Sequence, residues 1–377
     1  MEGRPYPGGR LEQSPHFLLA IRQAASQITL PASGREMVPF FSLLLENAML
    51  SIPIAAGPLF LFAALMVSFG SPSTSEEALQ DKALPLDNPK ACAECHPRQY
   101  DEWKSSLHSQ SWVDEAYQRA LKHKRRPQSC YACHIPGSVL GRLPKRPRSR
   151  VERKEHGISC SSCHIKENKV HGPFGSKTEA HPTVQSPVFA KGSSELCISC
   201  HKTKVGPVLP LAKDFLASPL PKKGKTCMSC HMAKIERSMA VDPKTGKAVG
   251  PKRKGRSHAI QGPTHPKFLG HAFLLEAVFG PDKTILTLKN RAGHRIPGLL
   301  MRAFQVVLTA HDAKGKTLWT KKSLISGKAS LGFGEALSFE APKAAAVKAE
   351  VTHLFSAGRG IKNMGIVYAK TLKAPKK

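Results

Sequence analysis

Past residue 274 the chain takes on the texture of strands. The stretches 284–288 (TILTL), 304–310 (FQVVLTA), 317–320, 347–355 and 365–372 are short runs rich in β-branched residues. Apolar and polar positions partly alternate in them, as they do on a half-buried sheet. Turn sequences such as Asp312-Ala-Lys-Gly315 separate the runs. This predicts a small antiparallel β-sandwich over 275–372, whose default role is structural or interactive. Between 92 and 271 the pattern is different. Short pieces of helical period, such as 99–104 and 113–123, alternate with Pro-, Gly- and Lys-rich connections like GRLPKRPRSR and KTGKAVGPKRKGRS. No segment there holds enough apolar residues to build a core of its own. The expected fold class is α+β: a mainly helical, loop-rich domain over 88–274, followed by the sandwich.

The cysteines say what fills the helical part. The chain has ten, and all ten fall into five Cys-x-x-Cys pairs: Cys92/Cys95, Cys130/Cys133, Cys160/Cys163, Cys197/Cys200 and Cys227/Cys230. Each pair is followed at once by a histidine: His96, His134, His164, His201 and His231. With only 17 histidines in 377 residues, five such coincidences are untenable, so the histidine belongs to the motif. A zinc ribbon needs two knuckles per metal, and five would leave one unpaired. A thioredoxin-like dithiol would occur once. Covalent c-type haem accounts for the whole pattern: two thiols bind one porphyrin, and the next histidine lies beneath the iron. Five haems c, about one per 36 residues, would then take the place of an apolar core and couple folding to cofactor attachment. The first cysteines stand at 92, 130, 160, 197 and 227, so intervals of 38, 30, 37 and 30 hint at a repeated two-haem unit.

Haem attachment requires export, and the N-terminus agrees. Residues 49–69 form an apolar stretch, and no charge occurs from 47 to 75. Its length suits a membrane anchor, whereas Pro53, Pro58 and the small residues near Gly70 suit a cleaved signal peptide. Both remain open, and either places the rest in a periplasmic or extracellular compartment. Residues 1–48 show no periodicity and are expected to be disordered or an over-long start. The formal charge is +30, from which five oxidised haems subtract about five units. So basic a surface steers towards acidic redox proteins, other cytochromes or an anionic membrane surface. Scattered lysines and the compartment exclude nucleic acid as a partner.

Function turns on each iron's sixth position: filled, it serves electron transfer; open, it admits chemistry. His108 follows Trp103 on a predicted helix and is a candidate second ligand. His171 in a Val-His-Gly-Pro-Phe-Gly loop, with His258 and His265 in SHAIQGPTH, occupies glycine-rich backbone that can approach a flat ring. His294, in Asn-Arg-Ala-Gly-His-Arg-Ile-Pro, opens the sandwich and could reach back to a haem. His156 and His271 are reserves. His311 and His353 lie in predicted strands and take ordinary packing roles. Met228, Met232 and Met239, irregularly spaced around the fifth motif, read as packing around haem.

The segment from Cys92 to His108, with Tyr100 and Trp103, resembles the first haem segment of multihaem cytochromes c related to the tetrahaem electron acceptor of hydroxylamine oxidoreductase. HGISCSSCH at 156–164 followed by HGPFG, the His-x-Ile-x-Gly loop at 258–262 and Asn-x-x-Gly-His-x-x-Pro at 290–297 are similar to further family segments. The resemblance implies closely packed bis-histidine haems in a periplasmic or extracellular electron carrier. Five motifs stand where that acceptor has four, and Gly298 follows Pro297 where relatives have threonine. The leading expectation is therefore an electron-transfer protein with no catalytic residues. The alternative is an oxidoreductase acting on a small inorganic nitrogen or sulfur compound at one open haem. In a third reading the sandwich docks the cytochrome to a complex.

Overall fold

The computed structural model describes residues 85–190, 193–356 and 360–375. The expected N-terminal disorder and the signal or anchor segment lie outside these residues. Among the described residues no helix is long and apolar enough to cross a membrane.

The first half is built from short helices, each stopped within two turns by Pro, Gly or a cap. These are α1 (Pro89–Cys95), α2 (Pro97–Lys104), α3 (Glu115–Lys122), α4 (Gln128–His134), α5 (Cys160–His164), α6 (Pro187–Ala190), α7 (Glu195–His201), α8 (Leu211–Ala217), α9 (Cys227–His231) and α10 (Pro266–Gly270). All five Cys-x-x-Cys-His motifs end a helix, with the histidine its last residue or the next one. Two are locked by reciprocal serine and threonine caps, Ser159 with Ser162 and Thr226 with Ser229. The sequence pattern predicts only helices and loops here, but small sheets also form. A three-stranded sheet joins β1 (Ile165–Lys166), β2 (Lys169–Gly172) and β3 (Thr183–Gln185). Two hairpin-like pairs join β4 (Lys234–Arg237) to β7 (Arg253–Arg256) and β5 (Ala240–Val241) to β6 (Ala248–Val249). At two to four residues, such strands are too short to show a period.

The second half is a sandwich of two antiparallel sheets. One has the order β11 (Thr317–Ser326), β10 (Arg302–His311), β13 (Ala346–Ser356), β14 (Ile361–Lys373). The other has β12 (Ala336–Pro342), β9 (Lys283–Asn290), β8 (Phe273–Phe279). Period-2 burial sets the register: Leu286 and Leu288 on β9, Phe304, Val306, Leu308 and Ala310 on β10, and Val347, Ala349 and Val351 on β13 all point inward. The Tyr368 hydroxyl accepts the Leu275 N–H at 2.9 Å, tying one sheet to the other. Strands β8 and β12 escaped the pattern reading. FLLEAVF is apolar almost throughout, and β12 is an edge strand whose outer face carries Ser338 and Glu340. Strand β11 also outruns its legible part, because edge lysines Lys321 and Lys322 mask the alternation.

Candidate functional site

None of the ten cysteines is joined to another in a disulfide. Among the described residues no group of three or more Cys, His, Asp or Glu side chains gathers as a metal cage would require. Instead the histidines come in pairs. The ring of His96 stands 6.5 Å from that of His181, His201 6.4 Å from His108, His164 6.1 Å from His258, and His231 6.1 Å from His294. Each pair joins one motif histidine to one from a distant loop. Two imidazoles on opposite sides of one iron, with nitrogens about 2 Å away and ring centres about 1 Å further out, put their centroids roughly 6 Å apart. The gaps therefore fit one metal each.

The ring nitrogens are oriented accordingly. Nδ1 of His96 donates to the Met239 carbonyl at 2.7 Å, and that of His164 to the His171 carbonyl at 2.7 Å. Nδ1 of His231 donates to Gln261 at 2.6 Å, and that of His134 to Ser111 at 2.6 Å. These carbonyls fix the tautomer that leaves Nε2 with a lone pair free for a metal. Burial, aided by neighbouring His201 and His231, pushes His108 down to about 4. Burial likewise brings His258 to about 4. Both rings are thus neutral and ligand-ready near neutral pH.

Each partner histidine is held by its own device. His108 leaves α2 in a serine-rich turn, and its carbonyl accepts the Ile158 N–H at 2.9 Å. A Cβ on Gly157, which has φ +56°, would come within 2.5 Å of that carbonyl, so only glycine fits there. Trp103 Nε1–H donates to the Ile158 carbonyl at 2.7 Å and closes the same corner. Glu102, also on α2, takes both Nη atoms of Arg237 at 2.7 and 2.9 Å and accepts the His258 backbone N–H at 2.9 Å. The Arg237 and His258 hydrogen bonds hold its carboxyl below the usual range despite burial. The His294 loop is organised by the buried Asn290, whose amide donates to the carbonyls of His294, Leu331 and Gly332 at 2.9–3.0 Å. Arg295 then clamps that loop to Asp214 of α8, through Nη2 to Oδ1 at 2.7 Å and Nε to Oδ2.

His134 is the exception among the motif histidines. Its ring lies 3.7 Å from that of Tyr117, at 6° to it, and among the described residues no second histidine ring faces it. His171 enters by its carbonyl to His164, and among the described residues its ring pairs with no other histidine ring. His265 caps α10, and its Nδ1 accepts the Gly262 N–H at 3.2 Å. Sequence reasoning singled out neither His181 nor Glu102. His181 sits in a polar, proline-flanked loop with no distinguishing motif, and Glu102 reads as an ordinary helix-surface charge.

The thiols show how the motifs neighbour one another. Cys92 neighbours Cys160, Cys133 neighbours Cys200, and Cys197 neighbours Cys227. Cys163 lies within electrostatic reach of both Cys197 and Cys200. The first motif thus adjoins the third, the third the fourth, and the fourth both the fifth and the second.

The sequence model of the family described as Cytochrome c554 and c-prime matches residues 91–165, which contain the first three motifs. The chain is a multihaem c-type cytochrome. The penta-heme cytochrome c552 from Thermochromatium tepidum shares the fold of this cytochrome at a TM-score of 0.53 and 15% identity, over 75% of this chain and 97% of that one. The structural-genomics protein SoR45 and the Bordetella pertussis ApaA protein, 14% and 12% identical, each cover 28% of this cytochrome. They span 90% and 97% of their own lengths at TM-scores of 0.16 and 0.17, likenesses too slight to carry an argument. No curated protein matches this cytochrome.

Proposed function

We propose that this cytochrome is an exported electron-transfer protein with five covalent haems c, four closed by a second histidine and one open. The four ring pairs at 6.1–6.5 Å carry the reading. Cys92/Cys95, Cys130/Cys133, Cys160/Cys163, Cys197/Cys200 and Cys227/Cys230 would hold the porphyrins. His96 with His181, His201 with His108, His164 with His258, and His231 with His294 would hold four irons, and His134 the fifth. Bound haem supplies one-electron transfer, and at an open position the binding of a small ligand. The chain contributes spacing and insulation. Thiol contacts line the attachment sites up as first, third, fourth, fifth, with the second flanking the fourth. Cys230, at the end of that row, is exposed, so the fifth site offers a surface edge to a partner. The charge of +30 favours an acidic one. The apolar stretch at 49–69 supports export to a periplasmic or extracellular compartment.

A second reading, chemistry on a small nitrogen or sulfur compound, is favoured by one observation: among the described residues no second histidine ring pairs with that of His134, as it does for the other four motif histidines. Electron paramagnetic resonance of the oxidised holoprotein tests both. One high-spin centre beside four low-spin centres is expected, and His181→Ala, His108→Ala, His258→Ala or His294→Ala should each add a second. His171→Ala and His265→Ala should add none. Five low-spin centres would leave a pure carrier and sink the open site, whereas no change in spin state on replacing the four partners would sink the pairing.

A further inference from the structure

Ser111 stands three residues beyond His108, in the serine-rich turn that follows α2, and it holds His134 at two points. Its carbonyl accepts Nδ1–H of the His134 ring at 2.6 Å, and its hydroxyl donates to the His134 carbonyl at 2.9 Å. The same hydroxyl donates to the His108 carbonyl at 2.8 Å, and the Ser111 N–H reaches that carbonyl at 3.2 Å. A hydroxyl has one proton, so the two histidine carbonyls share it. Its oxygen also accepts the N–H of Ile158, two residues before Cys160, at 3.1 Å. A Cβ on Gly157 would lie 2.6 Å from this oxygen, so the glycine makes room for the hydroxyl as well as for the His108 carbonyl.

The other motif histidines are held more simply. The rings of His96, His164 and His231 donate to the carbonyls of Met239, His171 and Gln261. Among the described residues none of those three side chains donates to a histidine carbonyl. At His134 the ring is held on its edge by Ser111 and on its face by Tyr117, 3.7 Å away at 6°. His108 in turn pairs with His201 at 6.4 Å. Ser111 therefore joins the attachment histidine of the second motif to the partner histidine of the fourth by direct hydrogen bonds. The basicity of a ligating imidazole depends on the hydrogen bond its other nitrogen makes, and its orientation on what holds the ring. One residue bonded to both histidines acts on both.

We propose that Ser111 is a positioning residue shared by two irons: it orients His134 on the second and holds His108 on the fourth, so both centres answer to one hydroxyl. The proposal rests on the pairing of His108 with His201 above. At His134 the short bond to the Ser111 carbonyl strengthens electron donation from the ring and favours ferric iron. At His108 the hydroxyl fixes the turn that carries the ring and keeps the sixth position closed. For an electron carrier the result is a fixed step in potential between two centres, since whatever moves the turn moves both ligands.

The test uses holoprotein at haem loading verified by the pyridine haemochrome. Ser111→Ala is compared with wild type and with Ser111→Thr, which keeps the hydroxyl. His108→Ala marks the fourth centre by the low-spin signal it abolishes, and the His134 centre is the one whose signal survives replacement of each of the four partner histidines. In Ser111→Ala the carbonyl remains but the hold on His134 loosens. The reduction equilibrium of that centre is expected to shift about tenfold towards ferrous iron, about 59 mV for one electron. Added imidazole should displace His108 at the fourth iron at about a tenth of the concentration wild type needs. The His96 and His231 centres should keep their wild-type values, and Ser111→Thr should match wild type throughout. Should Ser111→Ala fail to load haem, Ser111→Val is compared with Ser111→Thr, a pair alike in shape that differs in the hydroxyl. A loaded variant in which only one of the two centres moves, neither moves, or every centre moves overturns the proposal. If His108→Ala abolishes no low-spin signal, the pairing falls and the shared role with it, whereas an intact pairing with unmoved values refutes the role of Ser111 alone.

Discussion

The two halves of the described chain are stabilised by different means. Among the described residues, the sandwich half from Phe273 onward buries eighteen apolar side chains, whereas the longer half before it buries nine. The eighteen include one continuous cluster across both sheets, including Leu286, Leu308 and Val351, each 0% exposed. The nine are dispersed: Trp103 closes the His108 corner, Ile135 and Val139 flank the second motif, and Phe215 meets the His294 loop. A half with so little apolar burial cannot offset its chain entropy unaided. Its backbone is fixed by motif helices, short sheets and buried histidines arranged around the spaces that porphyrins would fill. The sandwich needs none of this, yet it lends the other half His294.

Withholding haem should widen the contrast most. Chain produced without cytochrome c maturation is expected to lose amide hydrogen-exchange protection across 85–272 while the strands from Phe273 onward keep theirs. Protection retained in the first half would break the comparison. The next largest effect targets the other side. Leu308→Ala, at a 0% exposed position, should cost the sandwich about 2–5 kcal/mol in denaturant unfolding, with haem content unchanged. Lost haem would show that the sandwich is required for loading.

Acid should then distinguish the halves through His353. Burial, reinforced by the Arg302 charge, lowers its pKa to about 4. The unfolded chain takes up a proton near pH 6.5, and the folded one only near 4. Stability contributed by the neutral ring is therefore complete above about pH 6.5 and falls as the pH drops towards 4, by at most about 3 kcal/mol. Stability measured against pH should show this slope in wild type and lack it in His353→Leu; an equal slope in both would reassign it. The smallest change is expected at the seam. Asp214→Asn removes the partner of Arg295, a half-exposed pair whose Asp214 carboxyl is held below its usual range by that guanidinium. About 1 kcal/mol or less should be lost, with a partial high-spin signal if the His294 loop loosens.

How much of this was legible in the sequence follows the range of the interactions. The strands β9, β10 and β13 were readable because alternation is a nearest-neighbour rule, and buried positions such as Phe304, Val306 and Leu308 obey it. Strands β8 and β12 were not, since one is nearly all apolar and the other lies at an edge. The candidate His108 was betrayed by its place after Trp103, and His258 and His294 by glycine-bearing loops. His181 left no such trace, and His171, in an equally glycine-rich loop, supplies a carbonyl rather than a ring. Loop composition shows that backbone can come close to something, without showing which atom arrives.

Chemistry confined to five consecutive residues was determined by the sequence alone. Cys-x-x-Cys-His repeated five times names its cofactor, because two thiols and an imidazole must lie one helical turn apart to meet the same porphyrin. Partnership was decided only in three dimensions. His108 meets His201, His258 meets His164 and His294 meets His231 across long stretches of chain, brought together by Gly157, by Glu102 with Arg237, and by Asn290 with Arg295. Tertiary structure likewise left His134 stacked on a tyrosine and, among the described residues, without a second histidine ring, because closing a long loop onto a ring depends on what every other loop permits.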